Sequence, residues 1–215
     1  MQKIKRTNSK KSLYFIGSLL IISSLSIIVI NQYNKTLNIQ IENEAIEEYY
    51  KQEPKVEPNS TQVENKSTLA RTKKETEKTT NLYEYIAVLR IPKINLKRGL
   101  VDKNSKYNDI KYNIMIHKES DNPSKEGGNV ILLAHSGNSN ISFFKNLYKL
   151  KLDDLIYLDY NNNTYKYKLI NIYDIEKNGK APIRKNTSKS SITLITCRNN
   201  TDNQIVLIGE LIASY

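Results

Sequence analysis

An uncharged, mostly apolar run from Leu13 to Ile30 constrains this chain more than any other feature. At 18 residues it is just long enough to span a bilayer as a helix, which withdraws it from any water-facing fold. Lys3, Lys5, Arg6, Lys10 and Lys11 precede it, whereas the residues after it hold Lys35 and Lys51 against Glu42, Glu44, Glu47 and Glu48. That asymmetry predicts a cytoplasmic N-terminus and places the remaining chain outside. A cleaved signal peptide would carry a shorter apolar core ending in small residues, and Asn31-Gln-Tyr-Asn-Lys35 offers no such site. The run is therefore read as an uncleaved anchor at the cell membrane.

The remaining sequence divides by composition. Residues 1–12 form a basic tail, 13–30 the transmembrane anchor, 31–80 an extracellular tether and 81–215 a folded domain. Within the tether, Asn38 to Gln52 has helical spacing, with Ile39, Ile41, Ala45, Ile46 and Tyr49 set among glutamates. From Glu53 to Thr80 no apolar periodicity supports a core. With 215 residues, 39% of them hydrophobic, there is room for one ordinary domain and an appendage. The net charge of +11 is spread over both halves, without tryptophan, an Arg-rich tract or zinc-ligand spacing. This excess fits a nearby anionic surface and argues against nucleic acid as a partner.

The domain reads as strands broken by turns. Tyr85 to Ile91 is a β-rich run stopped by Pro92, and Val130 to Ala134 is a continuous apolar strand. Leu155 to Tyr160 is followed by Asn161-Asn-Asn and the alternating run Tyr165 to Tyr173, the pattern of a hairpin. Ser191 to Thr196 and Ile205 to Ile212 complete the set, while Ser142 to Leu147 has the spacing of one or two helical turns. Many short strands over this length predict an all-β fold, a closed or nearly closed barrel.

Cys197 is the single cysteine, so the fold does not rest on an internal disulfide and its thiol is a candidate reactive group. It ends one apolar strand just as His135 ends another, each before a polar loop. If the two strands are neighbours, an imidazole can meet and activate the thiol. On these residues alone a structural cysteine and a Cys/His catalytic pair both stay open, and a metal site lacks ligands at the right spacing. His117, in Ile114-Met-Ile-His-Lys118, reads as a solvent-facing strand edge.

Thr193-Leu-Ile-Thr-Cys197 resembles the TLxTC signature that carries the nucleophile of sortases, the membrane-anchored cysteine transpeptidases. Asn129 to His135 is similar to that family's strand ending in the catalytic histidine, and Phe143-Phe-Lys-Asn-Leu147 to the helical turn after it. Leu152-Asp-Asp-Leu-Ile156 resembles the next strand's opening, with Asp153 where many members carry glycine, and Leu89-Arg-Ile-Pro-Lys-Ile94 the family's first strand. The resemblance covers about residues 82–213 and implies an eight-stranded β-barrel. It also implies that Cys197 attacks a carbonyl inside a short C-terminal sorting motif of a secreted protein. A thioester forms, His135 serves as thiolate partner and general acid, and the acyl group passes to an amine of a cell-wall precursor or another surface protein. Ser136, Thr196 and Arg184, the last in the connection before the cysteine strand, are the expected substrate contacts.

One departure from the family pattern concerns the arginine that faces the cysteine from the last strand. Here Gln204 occupies that place, and the arginine after the cysteine is Arg198. Either Arg198 turns back from its loop to act as the third catalytic residue, or Gln204 supplies a neutral oxyanion donor. No cofactor is expected. Some members bind calcium near acidic loops, but Glu119, Asp121 and Glu126 read as a solvated turn. The tether shows no Asp-Pro-aromatic lid, so attachment to the wall is expected before pilus polymerisation. A degenerate peptide-binding barrel and a plain cysteine hydrolase are the alternatives.

Overall fold

A computed structural model of the chain describes residues 8–51, 83–177, 179–182, 188–198 and 201–215, with side chains from Leu13 onward. The chain divides into two units after Ile41. Helix α1 runs from Asn8 to Lys51. In the first unit it is long and apolar enough to cross a membrane. Its apolar side chains between Leu13 and Ile30 are exposed. Ser18, Ser23, Ser24 and Ser26 each return their hydroxyl proton to a carbonyl three or four residues earlier, so none of these four hydroxyls needs water.

The second unit is a sheet of eight strands. They are β1 (Tyr85–Ile91), β2 (Leu96–Val101), β3 (Met115–Ile116), β4 (Asn129–Leu133), β5 (Leu155–Tyr160), β6 (Asn163–Glu176), β7 (Ser191–Cys197) and β8 (Asn203–Ser214). Their order is β2-β1-β5-β6-β8-β7-β4-β3. All pairs are antiparallel except β4 with β7. The edge strands β2 and β3 approach each other, and Asn113, just before β3, donates to the Gly99 carbonyl in β2. The sheet is thus a nearly closed barrel, the all-β fold expected from the sequence.

Local sequence explains most of these elements. Pro92 ends β1 in a single 3-10 turn, and Asn95 completes the reversal in a left-handed conformation. Asn161 and Asn162 both have positive φ, so a two-residue turn sets the β5–β6 register. β2 is not announced by the sequence, whereas β3 falls in the strand edge expected around His117. Lys97-Arg98-Gly99 breaks the apolar alternation of β2, and β3 is only two residues long. Gly99 is required by close approach, because a Cβ there would lie 2.2 Å from the Tyr85 ring. The helical turns expected at 142–147 are a run of tight turns ending in a 3-10 turn, Leu147–Lys149.

Both faces of the central strands are covered. Leu89, Leu132, Ile156, Tyr167, Leu194 and Leu207 fill the barrel interior. Ile131, Ile195, Val206 and Ile208 form a second cluster on the opposite face, with Leu133, Tyr173 and Ile175 packed against it. Burial on two faces is why β4 and β7 read as unbroken apolar runs.

A third cluster corrects the expected extent of the tether. Residues 42–51 do not hang free; Ala45 and Ile46 are buried against Tyr85, Val88 and Val101. Glu42 accepts from the Tyr85 hydroxyl at 2.7 Å and the Gly99 amide at 2.9 Å, and pairs with Arg98. At the other end of this segment Tyr50 donates to Asp159, which also receives Arg90 and Thr164. Residues 52–80 of the expected tether lie outside the described residues.

Candidate active site

The parallel β4–β7 pair builds the site. Its register runs Asn129 with Ser191 through Leu133 with Ile195. Beyond it the Ala134 amide still donates to the Ile195 carbonyl at 3.4 Å, and the Thr196 hydroxyl donates to the Ala134 carbonyl at 2.6 Å. Carried two steps past Leu133–Ile195, that register would set His135 level with Cys197, on strands spaced about 4.8 Å apart. Cys197 is exposed and His135 half-buried. The Phe144 amide donates to the His135 carbonyl at 3.0 Å and folds the following loop back over the strand end.

That loop and the end of β7 enclose a cavity of about 190 Å³. Ser136, Thr196, Cys197 and Arg198 line it, together with Phe144, Lys145, Tyr148 and Ile205. Three of the expected substrate and catalytic residues therefore share one cavity with Cys197. The Thr196 hydroxyl is engaged by the Ala134 carbonyl, so its part in that cavity wall is first of all a brace between the two strand ends. Arg184 lies outside the described residues.

The two candidate donors fall on different faces. Cys197 stands directly opposite Gln204 in the antiparallel β7–β8 ladder, so their side chains share a face. That face also carries Ile195, Val206 and Ile175. Arg198 continues the ladder through its amide, which donates to the Asn203 carbonyl at 2.9 Å. It therefore belongs to the opposite face. Its guanidinium donates from Nε and Nη2 to Oδ1 of Asp174, at 3.1 and 2.8 Å. Asp174 was not singled out from sequence; only the β6–β8 register brings it beside the cysteine loop.

His117 and Asp121, both weighed in the sequence, have structural partners. The His117 amide donates to the Ile131 carbonyl, and its Nδ1 accepts from the Glu119 amide at 3.2 Å, a local turn. Asp121 accepts from Lys125 at 2.6 Å and from the Asn129 amide at 3.1 Å. Among the described residues no three His, Cys, Asp or Glu side chains converge as metal ligands do.

The comparisons with known proteins assign the family and support the fold. The family model described as Sortase domain matches residues 89–212, and the chain belongs to the sortase family. It is similar to Sortase A of Bacillus anthracis, with 27% identity over 133 residues, 61% of each chain. The match thus spans less than two thirds of that relative. Sortase C of Streptococcus pneumoniae superposes with a TM-score of 0.55 at 21% identity, covering 61% of this chain and 70% of the other. Sortase A of Corynebacterium diphtheriae gives 0.54 at 23%, covering 60% and 61%. These two structures carry the fold, and since they bear different subclass letters the fold assigns no subclass.

Proposed function

We propose that this protein is a single-pass, membrane-anchored cysteine transpeptidase with a cytoplasmic N-terminus and its barrel outside the cell. The observation that supports the reading is the parallel β4–β7 register, which, carried past Leu133–Ile195, would bring His135 level with Cys197. Sγ of Cys197 attacks a backbone carbonyl within a short sorting motif near the C-terminus of a secreted protein. The Sγ–C bond forms, the C–N bond breaks, and His135 gives its proton to the departing amine. An amine from a cell-wall precursor peptide or another surface protein then attacks the thioester. A new C–N bond forms, the thiolate leaves, and His135 takes the proton from the attacking nitrogen. No cofactor enters the sequence of steps.

The donor to the developing oxyanion is Gln204, whose amide shares a face with Cys197. The partly buried apolar side chains on that same face, Leu133 and Ile175, are suited to an extended apolar peptide. Arg198, held by Asp174, borders the cavity on the other side of the cysteine, beside the proposed substrate contacts Ser136 and Thr196.

The test uses the full chain in detergent micelles with a pooled library of sorting-motif peptides, reading the acyl adduct and the products by mass spectrometry. An adduct present on the wild type, absent from Cys197→Ala, and converted to an amide when an amine is added supports transpeptidation. An adduct that only water discharges makes the protein a hydrolase. No adduct across the library leaves a peptide-binding barrel.

A further inference from the structure

Arg98 lies on β2, outside the catalytic pair and the cavity, yet it is held by more partners than a surface arginine needs. Its Nη1 pairs with Glu42, and only 15% of its side chain is exposed. Nε donates to Oδ1 of Asn113 at 2.8 Å, and Asn113 in turn fixes the Gly99 carbonyl at 2.9 Å. With its plane set in this way, the guanidinium carbon sits 4.3 Å from the centroid of the Phe143 ring. Phe143 belongs to the loop that starts at His135 and walls the cavity beside Cys197, and the next amide, of Phe144, donates to the His135 carbonyl. A continuous set of contacts therefore runs from Glu42 through Arg98 and Phe143 to the backbone of His135.

We propose that Arg98 and Glu42 are positioning residues for the active site: docking of the segment that follows the apolar run in sequence holds the His135 loop against Cys197. This rests on the Cys197–His135 pairing proposed above. The chemistry favours arginine over lysine at this place, because only a planar guanidinium can pair with a carboxylate, bond an amide oxygen edge-on and present a flat face to an aromatic ring. Glu42 is 11% exposed and also engages Tyr85 and Gly99, so it sets the guanidinium rather than following it. If this segment leaves the barrel, Arg98 loses its anion, Phe143 loses its clamp, and the histidine is no longer held to the thiol. The device makes activity depend on the segment between the apolar run and the barrel.

Because Cys197 is the single thiol, its reaction with iodoacetamide reads the site directly, without a known substrate. The pH–rate profile of alkylation is measured on the full chain in detergent micelles for the wild type, His135→Ala, Glu42→Gln, Arg98→Lys, Phe143→Leu and Tyr50→Phe. Thermal unfolding of each variant is followed in parallel. Tyr50→Phe loosens the other end of the same docked segment without touching Phe143. The profiles of Glu42→Gln, Arg98→Lys and Phe143→Leu are expected to move toward that of His135→Ala, with the neutral-pH rate changed about three- to thirtyfold, the range of coupling through packed contacts. Tyr50→Phe is expected to keep the wild-type profile although it lowers the unfolding temperature. Wild-type profiles in the first three, or an equal displacement in Tyr50→Phe, overturn the proposal. A wild-type profile that His135→Ala does not change overturns the catalytic pairing itself, and this inference with it.

Discussion

Cys197 and Gln204 face one another across the β7–β8 ladder, whereas Arg198 is turned to the other face and tied to Asp174. In the proposed reaction this makes the two side chains separable by mutation. Gln204→Ala is expected to lower the rate of thioester formation by about a hundred- to a thousandfold, the usual effect of removing one oxyanion donor. Arg198→Ala is expected to cost less than tenfold in that step, because the guanidinium is on the other face of the ladder. Single-turnover measurement of the acyl adduct decides between them, and a larger loss in Arg198→Ala than in Gln204→Ala would reverse the assignment. Asp159 is a second residue whose surroundings dictate a measurable property. Burial pushes its carboxyl up, but hydrogen bonds from Arg90, Tyr50 and Thr164 and the charge of Arg90 outweigh burial and hold it below the usual carboxylate range. The folded state therefore binds the proton less readily than the unfolded chain. This contribution is complete above about pH 4 and is lost as pH falls through the depressed value. Thermal unfolding from pH 6 down to pH 2 is expected to show an acid loss that Asp159→Asn reduces; an unchanged slope would contradict it.

At the scale of elements, the docked end of α1 is held by an apolar centre and two polar ends. Ile46 is fully buried between Tyr85, Val88 and Val101, so Ile46→Ala is expected to destabilise the second unit by about 2–4 kcal/mol in denaturant unfolding. Tyr49 adds a pH dependence of opposite sign to that of Asp159. Burial first, and the nearby Asp159 charge second, push its hydroxyl up to about 12. Tyr50 and Tyr85 are raised by burial as well. Since the unfolded chain gives up these protons first, the contribution is complete below about pH 10 and is lost as pH rises through the folded-state values. Alkaline unfolding should therefore begin above about pH 10, and Tyr49→Phe should reduce its steepness.

For the whole molecule, the docked segment decides where the folded domain starts. A fragment beginning at Glu42 retains Ala45, Ile46, Tyr49 and Tyr50 on the barrel, while one beginning at residue 83 exposes Val88 and Val101 and leaves Arg98 without Glu42. Uncovering that cluster removes several buried apolar side chains, each worth about 1.5–3 kcal/mol. The shorter fragment is expected to unfold at least about 10 °C lower in calorimetry, given the size of the domain. Equal midpoints for the two fragments would show that the docked segment contributes nothing to the fold.

The apolar helix, the cysteine and histidine that the proposed reaction pairs, and most strands were legible in the sequence because each is announced locally. An apolar run has a length, a strand has a period, Pro92 and Asn161-Asn162 turn the chain where they stand, and both reactive residues close a buried run. β2 was not legible, since its Gly99 is there for the Tyr85 ring and not for a turn. The choice between Gln204 and Arg198 stayed open because it depends on whether β7 keeps its pleat past the cysteine, and a single-residue change in register exchanges the two faces. Asp174, Glu42 and Arg98 gave no local signal at all. Their partners lie 24 residues away for Arg198 with Asp174 and 57 for Glu42 with the Gly99 amide, across strands that meet only when the barrel closes. By itself, then, the sequence determined most of the elements and the candidate reactive side chains, whose chemistry and periodicity are short-range. Only the tertiary structure decided which of them meet, because closure and register are properties of the whole sheet.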